Sequence, residues 1–140
     1  MSRIFWDTNL FIYLFEDYGA LSLITKSLRE KMLMRGDQLL TSTVTLGEIL
    51  VKPTENLDFD RCAKYETAMK SAAIILPFDE DAARIYAALR SNRAFRAPDA
   101  IQLSCAAKAG VDLFVTNDAG LQGKQVNGIQ FIVSLDKVPI

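Results

Sequence analysis

The sequence contains no histidine at all, and that absence removes more chemistry than any residue present adds. Ser-His-Asp and Cys-His nucleophile systems, His-ligated zinc and imidazole acid–base catalysis all need the missing ring. Cysteine is scarce: Cys62 and Cys105 lie within helical patterns, without CxxC or zinc spacing, and read as small buried hydrophobes of a reducing compartment. No apolar run approaches the length of a membrane span. Residues 10–15 are too short, Glu16 and Asp17 follow them, and no basic stretch leads into a long apolar core. The expectation is a soluble, cytoplasmic protein with no membrane segment. Excess positive charge is missing too: the net charge is −1, so no overall basic character advertises a nucleic-acid partner. Linker-like Gly/Pro/Ser stretches, charge blocks, repeats and low-complexity tracts are absent. At 140 residues and 50% apolar content, one domain spanning 1–140 with a proper core is expected. A hydrolase of this composition is left with carboxylates and a hard cation that prefers oxygen ligands.

What is present is an alternation of short apolar runs and helical patterns. Ile4-Phe5-Trp6 reads as a buried strand that ends abruptly in Asp7-Thr8-Asn9 and gives way to a helix-like segment over residues 10–15. Asp7 either caps that helix or stands as a site acid at the strand's carboxyl end. A second helix is expected over Leu21–Met34, a turn at Gly36-Asp37 and a strand over Gln38–Thr41. The next helix runs from Val44 to about Val51 and is stopped at Pro53. Glu48 in it has two readings: Thr45-Leu46-Gly47-Glu48 matches a capping box, whereas a cap at Thr43 frees the Glu48 side chain.

Asp58–Ala72 forms another helical pattern, and Ile74-Ile75-Leu76 fits a third strand. Asp79 is a natural N-cap for a helix over Asp81–Ser91, which makes Asp79-Glu80-Asp81 a charged first turn rather than a metal site. Pro98-Asp99 opens a helix that runs from Ala100 to Ala109 and ends at Gly110. Leu113–Val115 is a fourth strand, followed by Thr116-Asn117-Asp118, which repeats the hydroxyl, amide and acid of the opening stretch. A last strand is expected over Ile129–Val133.

Strands alternating with helices predict an α/β fold, a three-layer α/β/α sandwich with a mostly parallel sheet of about five strands. Right-handed crossovers line up the carboxyl ends of such strands along one edge. Asp7 and Asp118 fall there directly, and Glu48 follows from its place early in the helix after the second strand. Asp99 is not placed by this reasoning, because two helices separate the third and fourth strands. Gathered carboxylates repel and raise one another's pKa unless a cation sits among them, and oxygen-only ligation points to magnesium or manganese. Such ions activate water and stabilise both ends of a phosphodiester displacement. No acid lies between Ala82 and Pro98, but Arg84, Arg90, Arg93 and Arg96 do. Arg90, Arg93 and Arg96 are the candidates for phosphate contacts, with a solvated helix end as the alternative. Phe95 between them either stacks on a base or plugs the core.

Asp7-Thr8-Asn9, the Glu48 helix, Pro98-Asp99-Ala100-Ile101 and Thr116-Asn117-Asp118 together resemble the PIN-domain nucleases in order and approximate spacing. More narrowly, the chain is similar to the VapC-type toxin ribonucleases of bacterial toxin–antitoxin pairs. The resemblance implies that Asp7, Glu48, Asp99 and Asp118 hold one or two Mg²⁺ or Mn²⁺ ions, and it supplies the placement of Asp99. It also implies attack on an RNA phosphodiester by metal-bound water, with Thr116 positioning a ligand or water and Asn9 and Asn117 in support. A homodimer and a small inhibitory antitoxin are implied as partners by family membership only. Gln102 stands where many relatives carry His, and nothing catalytic is read from that difference.

Two other readings remain. A PIN-like domain that binds RNA or protein without cleaving it would not need all four acids. A phosphatase or phosphotransferase with a strand-end Asp nucleophile is disfavoured, because Asn9 rather than Asp stands two residues after Asp7 and no Lys ends the fourth or fifth strand.

Overall fold

The computed structural model describes residues 1–140. In chain order the elements are β1 (Arg3–Trp6), α1 (Thr8–Phe15), α2 (Ala20–Arg35), β2 (Gln38–Ser42), α3 (Thr43–Glu55) and α4 (Phe59–Ala72). They continue with β3 (Ile74–Leu76), α5 (Glu80–Ser91), α6 (Ala97–Ala109), β4 (Leu113–Thr116) and β5 (Phe131–Ser134), then a 3₁₀ turn over Leu135–Lys137. The strands form one five-stranded sheet in the order β3-β2-β1-β4-β5, and every pairing is parallel.

Strand periodicity sorts the core into two layers. Phe5, Leu40 and Phe114 point to the face covered by α5 and α6, where they meet Leu89, Phe95 and Leu103. Ile4, Trp6, Leu39, Leu113 and Val115 point to the other face, against Phe11, Leu28, Met32, Ile49 and Met69 from α1 to α4. Phe5 and Phe114, neighbours on β1 and β4, stack with ring centroids 5.1 Å apart. Each such side chain, once buried, contributes about 1.5–3 kcal/mol, which is why short strands of three to five residues suffice. Phe95 thus plugs the core rather than offering a base-stacking surface.

Helix ends follow local chemistry. The carboxylates of Asp58 and Asp79 accept from the backbone N–H groups of Arg61 and Ala82 at the starts of α4 and α5. Gly110 closes α6 in the left-handed conformation (φ 68°). The charged first turn at Asp79 is structural, with Lys108 bonded to that carboxylate.

Three local expectations are corrected. Helix α3 does not stop at Pro53 but carries that proline, buried, inside its last turn. The proline forgoes its own N–H bond, and Asn56 and Asp58 complete the turn by donating to the carbonyls of Lys52 and Pro53. The final strand begins at Phe131, because Ile129 instead forms an isolated antiparallel bridge with Val126 in the preceding turn. Cys62 is only half-buried, beside Thr54, whereas Cys105 is buried and its thiol is pushed up to about 11 by loss of water.

That preceding turn also sets a steric test. A Cβ at Gly128 (φ 95°) would lie 2.5 Å from the Ala107 carbonyl oxygen, whereas one at Gly47 in α3 would meet nothing. Gly128→Ala is expected to destabilise by about 2–3 kcal/mol. Gly47→Ala is expected to stabilise by about 0.5–1 kcal/mol through helix propensity. Urea midpoints check both, and equal midpoints for the two variants would contradict the packing described.

Candidate metal centre at the carboxyl edge of the sheet

From the central strand β1 the chain reaches β2 and then β3 on one side, and returns to β4 on the other. The crevice between the carboxyl ends of β1 and β4 is therefore the switch point of the sheet, where parallel α/β folds bind ligands. Asp7 leaves β1 at that point, and its N–H is tied to the Val115 carbonyl at 3.0 Å. Its carboxylate is fixed at both oxygens. Oδ1 accepts from the Thr8 N–H at 2.9 Å and Oδ2 accepts from the Thr116 hydroxyl at 2.8 Å. The two readings of Asp7 both hold: it caps α1, and it faces the crevice among other acids.

Thr116 ties two of the acids together. Its hydroxyl donates to Asp7 and accepts from the Asp118 N–H at 3.0 Å, so it sets the two acids against each other. Asp118 Oδ1 in turn accepts from the Gly120 N–H at 2.9 Å. Asn117 turns away and donates to the Tyr13 hydroxyl at 3.0 Å. Asn9 is half-buried in the first turn of α1.

Glu48 reaches the same crevice from α3. The capping-box reading fails, because α3 begins after Ser42, which places Glu48 in the second turn. The Thr45 hydroxyl is used elsewhere, in bonds to Thr8 and Gln102. Asp99, unplaced by strand periodicity, arrives in the first turn of α6.

Electrostatics order the cluster. Asp7 is raised above its ordinary value chiefly by burial, then pulled back by the Thr116 and Thr8 bonds, and raised again by Asp99 and Asp118. Glu48 is raised chiefly by burial, with the Thr8 hydroxyl opposing and Asp7 and Asp99 adding repulsion. Asp99 thus acts on both Asp7 and Glu48, and Asp118 acts on Asp7.

Arg96, the residue before α6, leans over Asp99 with Nε 3.5 Å from Oδ2, and its Nη2 is 4.0 Å from Asp118 Oδ2. Arg90 donates to the Phe95 carbonyl at 3.4 Å, and Arg93 sits exposed in the same connection. Of the three arginines, only Arg96 touches the acids.

Oxygen-only donors that repel one another fit a hard divalent ion. No three acidic or thiol side chains stand together as a ready-made ion cage. Sequence reasoning missed the layer beneath the acids: Thr8, Ser42, Thr45 and Gln102 are buried and mutually hydrogen-bonded. The pairing of Thr8 beside Asp7 with Thr45 one turn before Glu48 was the available hint.

A family model described as "PIN domain" matches residues 4–125. Similar solved structures include VapBC2 from Rickettsia felis bound to a DNA fragment from their promoter, at 14% identity and TM-score 0.75, covering 94% of this chain and 98% of that one. DNA-bound VapBC from Salmonella typhimurium matches at 20% identity and TM-score 0.73, over 96% and 99% of the two chains. VapBC-5 from Mycobacterium tuberculosis, a member of the VapBC family of toxin-antitoxin systems, matches at 25% identity and TM-score 0.56, over 94% and 98%. Among curated proteins none matches.

The raised acids carry a pH signature in metal-free protein. Asp7 and Glu48 hold protons to higher pH in the folded state than at their ordinary values of 3.8 and 4.5. Stability is therefore fullest below that range and falls as pH rises through the raised values. Asp7→Asn keeps the cap and removes the charge, so in chelator at neutral pH it is expected to be more stable by roughly 1 kcal/mol. Thermal melts across pH check this: the gap closes as pH falls below about 3. A gap independent of pH, or of opposite sign, would contradict the repulsion.

Proposed function

The chain belongs to the PIN-domain family, and from that premise we propose that it is a metal-dependent endoribonuclease acting on single-stranded RNA, the toxin of a toxin–antitoxin pair. The observation that carries the reading is Asp7: a largely buried carboxylate, fixed at both oxygens yet repelled by Asp99 and Asp118. The cap and the two hydrogen bonds do not remove that repulsion, whereas a divalent cation would.

In this reading Asp7, Glu48, Asp99 and Asp118 hold Mg²⁺ or Mn²⁺. When bound, the ion supplies a strong local positive charge that activates water and offsets charge on the phosphoryl oxygens. The chain's own residues do the rest. Thr116 and the Thr8 N–H aim the Asp7 carboxylate and oppose the rise in its pKa that burial causes. Arg96 balances Asp99 and Asp118, and a phosphodiester offers its guanidinium an alternative partner. Arg90 and Arg93, exposed on the same connection, supply further charge for the RNA backbone.

The toxin assignment draws on solved VapBC complexes of similar fold, one described as belonging to the toxin-antitoxin systems. An antitoxin protein and a second copy of the chain are the partners this reading expects. No helix is long and apolar enough to cross a membrane, and the cytoplasm is where RNA would be met.

The test is cleavage of an unstructured RNA oligonucleotide with Mn²⁺. Wild type is expected to cut, and Asp7→Asn and Asp99→Asn to lose at least about 100-fold, several kcal/mol of transition-state stabilisation. Full activity in the variants would reject the acids, and persistent activity in excess chelator would reject the metal. Tight RNA binding by wild type without cleavage would favour the binding-only alternative.

A further inference from the structure

Beneath the acids lies a polar cluster in an otherwise apolar interior. Gln102, 4% exposed, stands one turn after Asp99 on α6. Its Nε2 donates to Thr45 Oγ1 at 2.7 Å and to Thr8 Oγ1 at 3.2 Å, and its Oε1 accepts from the Ser42 hydroxyl. Thr8 and Thr45 lie 3.2 Å apart, oxygen to oxygen. Thr8 opens α1 next to Asp7, Thr45 precedes Glu48 by one turn, and Ser42 is the residue from which α3 starts. One amide thus joins the starts of three helices, and each of those helices carries or adjoins one of the acids.

Donor counting fixes the direction of the amide bonds. A threonine hydroxyl donates once and accepts twice. Ser42 gives its proton to Oε1, so Gln102 presents both N–H bonds to the two threonines. Thr8 and Thr45 each accept from Gln102 and share a further bond in which either hydroxyl can be the donor.

We propose that Gln102 is a positioning residue for the metal centre: through Thr8 and Thr45 it locks the starts of α1, α3 and α6, and with them the backbone that carries Asp7, Glu48 and Asp99, in one arrangement. Buried polar clusters of this kind are satisfied in a single geometry, whereas an apolar filling of equal volume would tolerate several. The proposal rests on the reading of Glu48 as a metal-directed acid. Gln102 itself touches none of the acids.

The test compares wild type with Gln102→Met, Thr8→Val, their double variant and Thr8→Ser, each confirmed folded by a cooperative melt. Calorimetry reads Mn²⁺ affinity. Gln102→Met and Thr8→Val are each expected to weaken it about tenfold or more, as loss of a bond behind a ligand typically does. The double variant is expected to be no weaker than the worse single, because both act through one cluster. Thr8→Ser, which keeps that hydroxyl, is expected to retain the wild-type affinity. Unchanged affinity in a folded Gln102→Met, or losses that multiply in the double variant, would overturn the proposal. A metal-free crystal structure of Gln102→Met gives a reading independent of the ion. A shift of the α3 start relative to α1 and α6 supports the proposal, and helix starts left unmoved overturn it. Should Gln102→Met not fold, the same comparison in Thr8→Val decides. Failure of wild type to take up Mn²⁺ would instead count against the proposed function.

Discussion

Repulsion among four carboxylates at the switch point of a parallel sheet is the constraint around which this protein is built. Asp7 is the member with least freedom, since it ends the central strand and sits largely out of water. Burial pushes its pKa up, and two donated hydrogen bonds work against that. The same carboxylate also caps α1, so removing it would cost helix stability as well as the site. One residue therefore serves both the fold and the chemistry.

Two different devices hold the cluster together. Above it, Arg96 places a guanidinium near Asp99 and Asp118 from a side chain that is 80% exposed. Exposed ion pairs of this length are worth little and are easily exchanged, which suits a contact that has to yield to an ion or a phosphate. Below it, Gln102, Thr8, Ser42 and Thr45 are buried and fully paired. Breaking one of those bonds strands a buried polar atom at a cost of about 1–3 kcal/mol. The upper device is labile and the lower one rigid, so positions are kept while charge is exchanged.

The layered fold was legible in the sequence because it rests on short-range patterns. Alternation in β1, β2 and β4, the acids at helix starts and the glycine after α6 are all local, and each fell close to its expected place. Asp7 and Asp118 could be placed from strand ends alone. Asp99 could not: it follows two consecutive helices, and only resemblance to the PIN domain assigned it. Pro53 misled, since its position near a helix end lets α3 absorb it. Thr45 misled as well, because a capping motif reads the same whether its hydroxyl turns to the helix or to the core. Gln102 was invisible as a positioning group, since its partners lie 94, 60 and 57 residues away.

The most direct test of the account is a crystal of the protein soaked in Mn²⁺, with the ion located by its anomalous scattering. The account predicts a peak enclosed by Asp7, Glu48, Asp99 and Asp118, with the Arg96 guanidinium displaced from Asp99. Four acids left where they stand, with Mn²⁺ absent from the crevice or bound only elsewhere, would contradict it.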